Sequence, residues 1–90
     1  FIKLVCENPS RVFGIKNKGY IKEGFDADFT VVDMNIKKTI KNDWIASKCN
    51  WTPFDGYEVK GFPLGTIVNG KVIVWDGKII SKANGKPIKF

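Results

Sequence analysis

Ninety residues carrying a net charge of +6, no histidine and two cysteines limit what this chain can be. A chain this short forms one domain at most and buries only about 60–65% of its unfolded surface, so its own core is marginal. No apolar run approaches the ~20 residues needed to cross a bilayer, no basic segment with a small-residue cleavage site marks a secretory leader, and the missing histidine removes the commonest general base and metal ligand.

In chain order, the first residues are Phe1-Ile2-Lys3-Leu4-Val5, with no initiator Met and already in an apolar pattern. The expectation is a start inside a longer chain. Phe1, Leu4 and Val5 share one helical stripe, which predicts the last turns of an amphipathic helix. Asn8 suits a cap and Pro9 a first helical position, so residues 9–13 read as a second short helix set at an angle, stopped by Gly14.

From Gly19 the period changes to two. Tyr20-Ile21 leads to a turn near Lys22-Glu23-Gly24, and Phe29-Thr30-Val31-Val32-Asp33 is a strand rich in β-formers. Residues 36–41 read as a weaker, more polar strand suited to an edge. Thr66-Ile67-Val68 and Val72-Ile73-Val74-Trp75 flank Asn69-Gly70, a strong hairpin signal because both central residues of a type I′ turn need positive φ. Asp76-Gly77 turns the chain into Lys78-Ile79-Ile80-Ser81, completing a three-strand meander. Asn84-Gly85 predicts one further turn before an extended tail. Residues 42–63 hold Trp44, Trp51, Phe54, Tyr57 and Phe62 without a sustained period, so they are expected to be irregular and buried against something.

Chemistry-bearing patterns are few. Asp26 and Asp28 are the closest carboxylates of interest, but Gly24-Phe25-Asp26-Ala27-Asp28 reads as a turn in which Asp bonds local backbone, ahead of an acid/base pair. Cys6 and Cys49 lie too far apart for a zinc-ribbon pattern. They read as buried or idle thiols in a reducing cytoplasm, with a structural disulfide as the other option. The positive charge is nearly all lysine, dispersed from Lys3 to Lys89, with Arg11 the single arginine. Nucleic acid favours arginine forks and clustered patches, so a solvated surface is the reading. Trp51, Phe54, Tyr57 and Phe62, interleaved with Lys48 and Lys60, form the alternative: a stacking platform for single-stranded nucleic acid. Thr52-Pro53-Phe54-Asp55-Gly56 is a turn signature first. No phosphate-cradling glycine motif and no nucleophile elbow occurs.

Several stretches in this order are nonetheless distinctive. They are Asn8-Pro9-Ser10-Arg11-Val12-Phe13-Gly14, then Gly19-Tyr20-Ile21-Lys22-Glu23-Gly24-Phe25-Asp26-Ala27-Asp28-Phe29-Thr30-Val31-Val32-Asp33, then Ser47-Lys48-Cys49-Asn50-Trp51-Thr52-Pro53-Phe54-Asp55-Gly56, and finally Gly61 with Thr66-Ile67-Val68-Asn69-Gly70-Lys71-Val72. Together they resemble the C-terminal end of cyclic-amide hydrolases of the amidohydrolase superfamily. The Ser47–Gly56 stretch and the closing Gly85-Lys86-Pro87-Ile88-Lys89-Phe90 favour the dihydroorotase family, with allantoinases close behind. Asn69 stands where many members carry Arg.

The resemblance implies a TIM barrel with one or two metal ions, zinc among them, whose bound water attacks a ring carbonyl in a cytoplasmic enzyme of pyrimidine synthesis. The ligands it implies lie upstream of the matched region, so no catalytic, cofactor-binding or metal residue of the family falls on this sequence, and no zinc is expected on this chain. The implied fold is mainly β: the C-terminal portion of a composite antiparallel β-sandwich beside the barrel, with a short helical N-terminal segment. Residues 1–14 are expected to end the barrel's last helices, and residues 15–90 to form the sandwich portion, with 42–63 as its irregular part. The implied partners are the upstream barrel and N-terminal strands of the same protein. A homo-oligomer stays open, and membrane and nucleic acid are not expected. A stand-alone β binding module is the alternative.

Overall fold

The computed structural model describes residues 1–90. It is mainly antiparallel β, with one short helical segment at the N-terminus, as the sequence predicts. Helix α1 spans Asn8–Val12 and continues without a break from a π-turn over Lys3–Glu7. The two helices expected at an angle are therefore one. Asn8 has helical backbone angles, φ −64° and ψ −46°, and its N–H donates to the Lys3 carbonyl five residues back. Pro9 supplies the reason. A proline ring inside a helix collides with the carbonyl four residues earlier and brings no N–H, and one widened turn accommodates both defects.

Gly14 ends the helix as expected. Its φ is +64°, the N–H of Ile15 reaches the Ser10 carbonyl at 2.8 Å and that of Gly14 reaches Arg11 at 3.4 Å. This pair of bonds is a Schellman cap.

Four strands follow: β1 Phe29–Thr39, β2 Glu58–Val68, β3 Lys71–Trp75 and β4 Lys78–Ile79. They form one sheet in the order β1-β2-β3-β4, all antiparallel. The two strands read at 29–33 and 36–41 are a single edge strand, β1, whose register jumps between Asp33 and Lys37. There the Asp33 carboxylate accepts the Asn35 N–H at 2.8 Å, and Gly61 on the facing strand takes φ +86°. The sequence break was a bulge.

Residues 58–63, expected to be irregular, begin β2. Gly61 and Pro63 hide the strand in the sequence. Pro63 faces Val32 beside the second register shift, and bulges are among the few places where a sheet accepts a residue with no N–H. Both hairpins form as predicted: Val68 pairs Lys71 across Asn69 (φ 47°) and Gly70 (φ 76°), and Trp75 pairs Lys78 across Asp76 (φ 49°) and Gly77 (φ 74°). Asn84-Gly85 makes no turn. Its side chain is instead tied to the first hairpin, with the Asn84 amide donating to the Val68 carbonyl at 2.8 Å.

No hydrophobic side chain is buried. The tightest packing is Trp75 laid over Gly65, where an added Cβ would stand 2.4 Å from the indole.

Candidate functional site

The densest polar junction is built around the β2–β3 hairpin. The Asp28 carboxylate accepts the Asn69 N–H at 2.7 Å, and Gly70 donates to the Ala27 carbonyl at 2.9 Å. Lys18 bonds the other Asp28 oxygen and lies 3.0 Å from Asp26. Asp26 and Asp28 thus converge on one ammonium, and Asp28 also holds the turn. Asp26 and Asp28 bond across the fold, not to their own local backbone as the sequence suggested, because Lys18 comes from the loop after α1 and Asn69 lies 41 residues downstream of Asp28.

The electrostatics follow from this geometry. The Asn69 N–H, and after it Lys18, hold the Asp28 carboxyl below its ordinary range. Asp28, and after it Asp26, push the Lys18 ammonium upward.

The C-terminal tail joins the same junction. Asn69 donates its side-chain amide to the Asn84 carbonyl at 2.8 Å, and Lys16 donates its N–H to the Lys89 carbonyl at 2.8 Å. These contacts form a cleft of about 150 Å³ whose walls include Lys16, Lys18, Lys86, Lys89, Asp26 and Asn69. Lysines dispersed in the sequence are therefore gathered here. No local motif could have revealed them, since the loop and the tail lie more than 60 residues apart.

The aromatic segment has a different organisation from a stacking platform. Trp44 packs on Phe62 with centroids 5.3 Å apart, Phe54 meets Tyr57 edge-on at 6.0 Å, and the Lys38 ammonium lies 4.5 Å from the Phe62 ring. Trp51 makes no ring pair and stays 59% exposed. The predicted turn at 52–56 forms, with Tyr57 N–H on the Phe54 carbonyl and Gly56 at φ 84°. A larger, shallow groove of about 430 Å³ runs along 39–43. Two of its polar side chains hold the loop: Asp55 accepts the Asn42 N–H at 2.7 Å and Asn42 accepts that of Thr52 at 2.8 Å.

Cys6 and Cys49 are both exposed and unpaired: of the expected buried or idle thiols neither is buried, and the alternative disulfide does not form. The Ser47 hydroxyl, 3.0 Å from the Cys49 sulfur, holds that thiol below its ordinary value. No group of three His, Cys, Asp or Glu side chains is placed to hold a metal ion. The residues of this chain therefore do not fit the metal the resemblance implies. No helix is long and apolar enough to cross a membrane.

These features define a four-stranded antiparallel sheet whose hairpin and loops are tied together by side chain to backbone hydrogen bonds. The chain belongs to the amidohydrolase family, whose pattern its residues 1–73 match. It is 49% identical over 81 residues to the dihydroorotase of Pyrococcus horikoshii, covering 90% of this chain and 19% of that protein. It is 36% identical over 87 residues to the allantoinase of Desulfitobacterium hafniense, covering 97% of this chain and 19% of that one. Among solved structures, the L-hydantoinase from Arthrobacter aurescens superposes with a TM-score of 0.84 at 32% identity, over 90% of this chain and 18% of the other. The chain thus spans about a fifth of the length of the curated relatives it matches.

Proposed function

We propose that this chain is the non-catalytic C-terminal part of a metal-dependent cyclic-amide hydrolase, and that the hydrolase is a dihydroorotase, closing carbamoyl aspartate to dihydroorotate in pyrimidine synthesis. The observation that carries the reading is uncovered surface. The chain exposes 7546 Å², about 2,200 Å² more than the roughly 5,300 Å² of a compact monomer of its mass. Counted over both partners, an excess of this size on one side corresponds to about 4,400 Å², within the roughly 2,000–5,000 Å² that obligate interfaces bury. Its radius of gyration is 15.1 Å against about 12 Å for a compact domain of this length.

On this reading residues 1–14 end the barrel's last helices. Residues 15–90 form the C-terminal share of a β-sandwich whose remaining strands come from elsewhere in the same protein. The free edge of β1 and the bare faces of the sheet are the surfaces those parts cover. The metal expected in the complete enzyme would be held outside these ninety residues. The identity to dihydroorotase, 49% against 36% for allantoinase, favours the first activity.

The test is to express the upstream part separately, mix it with this chain and supply zinc. Dihydroorotate and allantoin are then assayed side by side. Turnover of dihydroorotate in the mixture, absent from either part alone, is the expected result. Turnover of allantoin instead transfers the assignment to the sister enzyme.

A further inference from the structure

We propose that the lysine-walled cleft between the loop at 16–18 and the C-terminal tail is a binding site for a small phosphate-bearing anion. Four lysines, Lys16, Lys18, Lys86 and Lys89, are among the residues lining this cleft of about 150 Å³. The charge of Lys18 is already met by Asp26 and Asp28. Lys16, Lys86 and Lys89 form no ion pair, the only two in the molecule both belonging to Lys18.

Their gathering is built into the backbone. The bond from the Lys16 N–H to the Lys89 carbonyl, at 2.8 Å, sets the two lysines side by side. The Asn69 bond to the Asn84 carbonyl, also 2.8 Å, brings the tail against the hairpin so that Lys86 follows. Three unneutralised like charges around one recess repel one another and raise the potential within it, a cost that a multiply charged anion converts to attraction.

The lining selects the class of anion. No aromatic or aliphatic side chain lines the cleft apart from Pro87, so a nucleobase has nothing to stack on. Lysine ammoniums are compact point charges suited to phosphate oxygens. The Asp26 carboxylate within the wall opposes any anion; Lys18 is shared between Asp26 and Asp28 and leaves that cluster net negative, so the attraction rests on the three unpaired lysines.

The experiment is isothermal titration calorimetry on the protein at its natural length, with inorganic pyrophosphate, inorganic phosphate and ribose 5-phosphate in turn. It reads binding and not turnover, so its outcome stands apart from the hydrolase assignment. Saturable one-site binding of at least one of the three is expected, with the strongest separating a free from an esterified phosphate. Lys16→Gln and Lys89→Gln should each weaken it about tenfold, the usual cost of a charged hydrogen bond. Lys37→Gln, on β1 outside the cleft, should leave it unchanged. Circular dichroism checks that each variant is folded; Lys86→Gln, at an exposed position, replaces any that is not. Absence of saturable heat with all three ligands, or an equal loss in Lys37→Gln, overturns the proposal.

Discussion

Ser10 shows how one small side chain joins two segments. It is 7% exposed, and its hydroxyl lies 2.7 Å from the Lys18 carbonyl and 3.1 Å from that of Ile15. Gly19 must be glycine for this approach. Its φ is +88°, and an added Cβ would stand 2.6 Å from the Ser10 Cβ and 2.7 Å from the Cys6 oxygen. Asp28 does similar work by charge. Because its folded pKa is lowered, it contributes stability above its unfolded value of about 3.9, and that contribution is lost as pH falls through the lower folded value. Lys18 has a raised folded pKa, so its contribution is present below about 10.4 and is lost as pH climbs past the folded value. Asp28→Ala should cost about 1 kcal/mol at neutral pH, solvent screening having reduced the pair. It should also flatten the acid limb of a stability profile measured by chemical denaturation between pH 2 and 7. An acid limb of unchanged steepness in the variant would assign the acid sensitivity to other carboxylates.

At the scale of elements, irregularities occur where particular residues demand them. Pro9 widens a helical turn, Pro63 lies beside a register shift, and Gly61 at φ 86° faces the bulge of β1. The β2–β3 hairpin gathers bonds from distant segments, since Asp28, Ala27 and Asn84 all attach to residues 68–70. Gly70→Val places a β-branched side chain at φ 76°. The space is open, the nearest atom to an added Cβ being Ala27 Cβ at 3.9 Å, so the penalty is backbone strain of about 1–2 kcal/mol. A fall in thermal midpoint should follow, and an unchanged midpoint would show that the turn is not held in the left-handed region.

For the whole molecule, the decisive property is the lack of a closed core. Phe1, Ile21, Ile79 and Phe90 are all more than 70% exposed. Covering each such side chain is worth roughly 1.5–3 kcal/mol, and exposed apolar patches of this extent mark interaction surfaces or aggregation hazards. Kept alone, the chain should bind a hydrophobic dye and self-associate in analytical ultracentrifugation. Adding the upstream part should quench the dye signal and give a single complex. A dye-negative compact monomer with no affinity for that part would overturn the scaffold reading.

Much of the local architecture was legible from the residues alone. Asn69-Gly70 and Asp76-Gly77 specify their hairpins because few residues accept positive φ, and Gly14 specifies the helix end for the same reason. The mainly antiparallel β class followed from the period-two runs around them. What the sequence hid depends on distant partners. Glu58 to Pro63 joins a strand only because β1 lies beside it and tolerates a bulge at Pro63. Asn84 leaves its turn because the Val68 carbonyl and the Asn69 amide are within reach. The sequence by itself determined where this chain turns and which short stretches extend. Only the tertiary structure decided which charges meet, because Lys16 and Lys89, or Asp28 and Asn69, become neighbours through backbone bonds that no local pattern encodes.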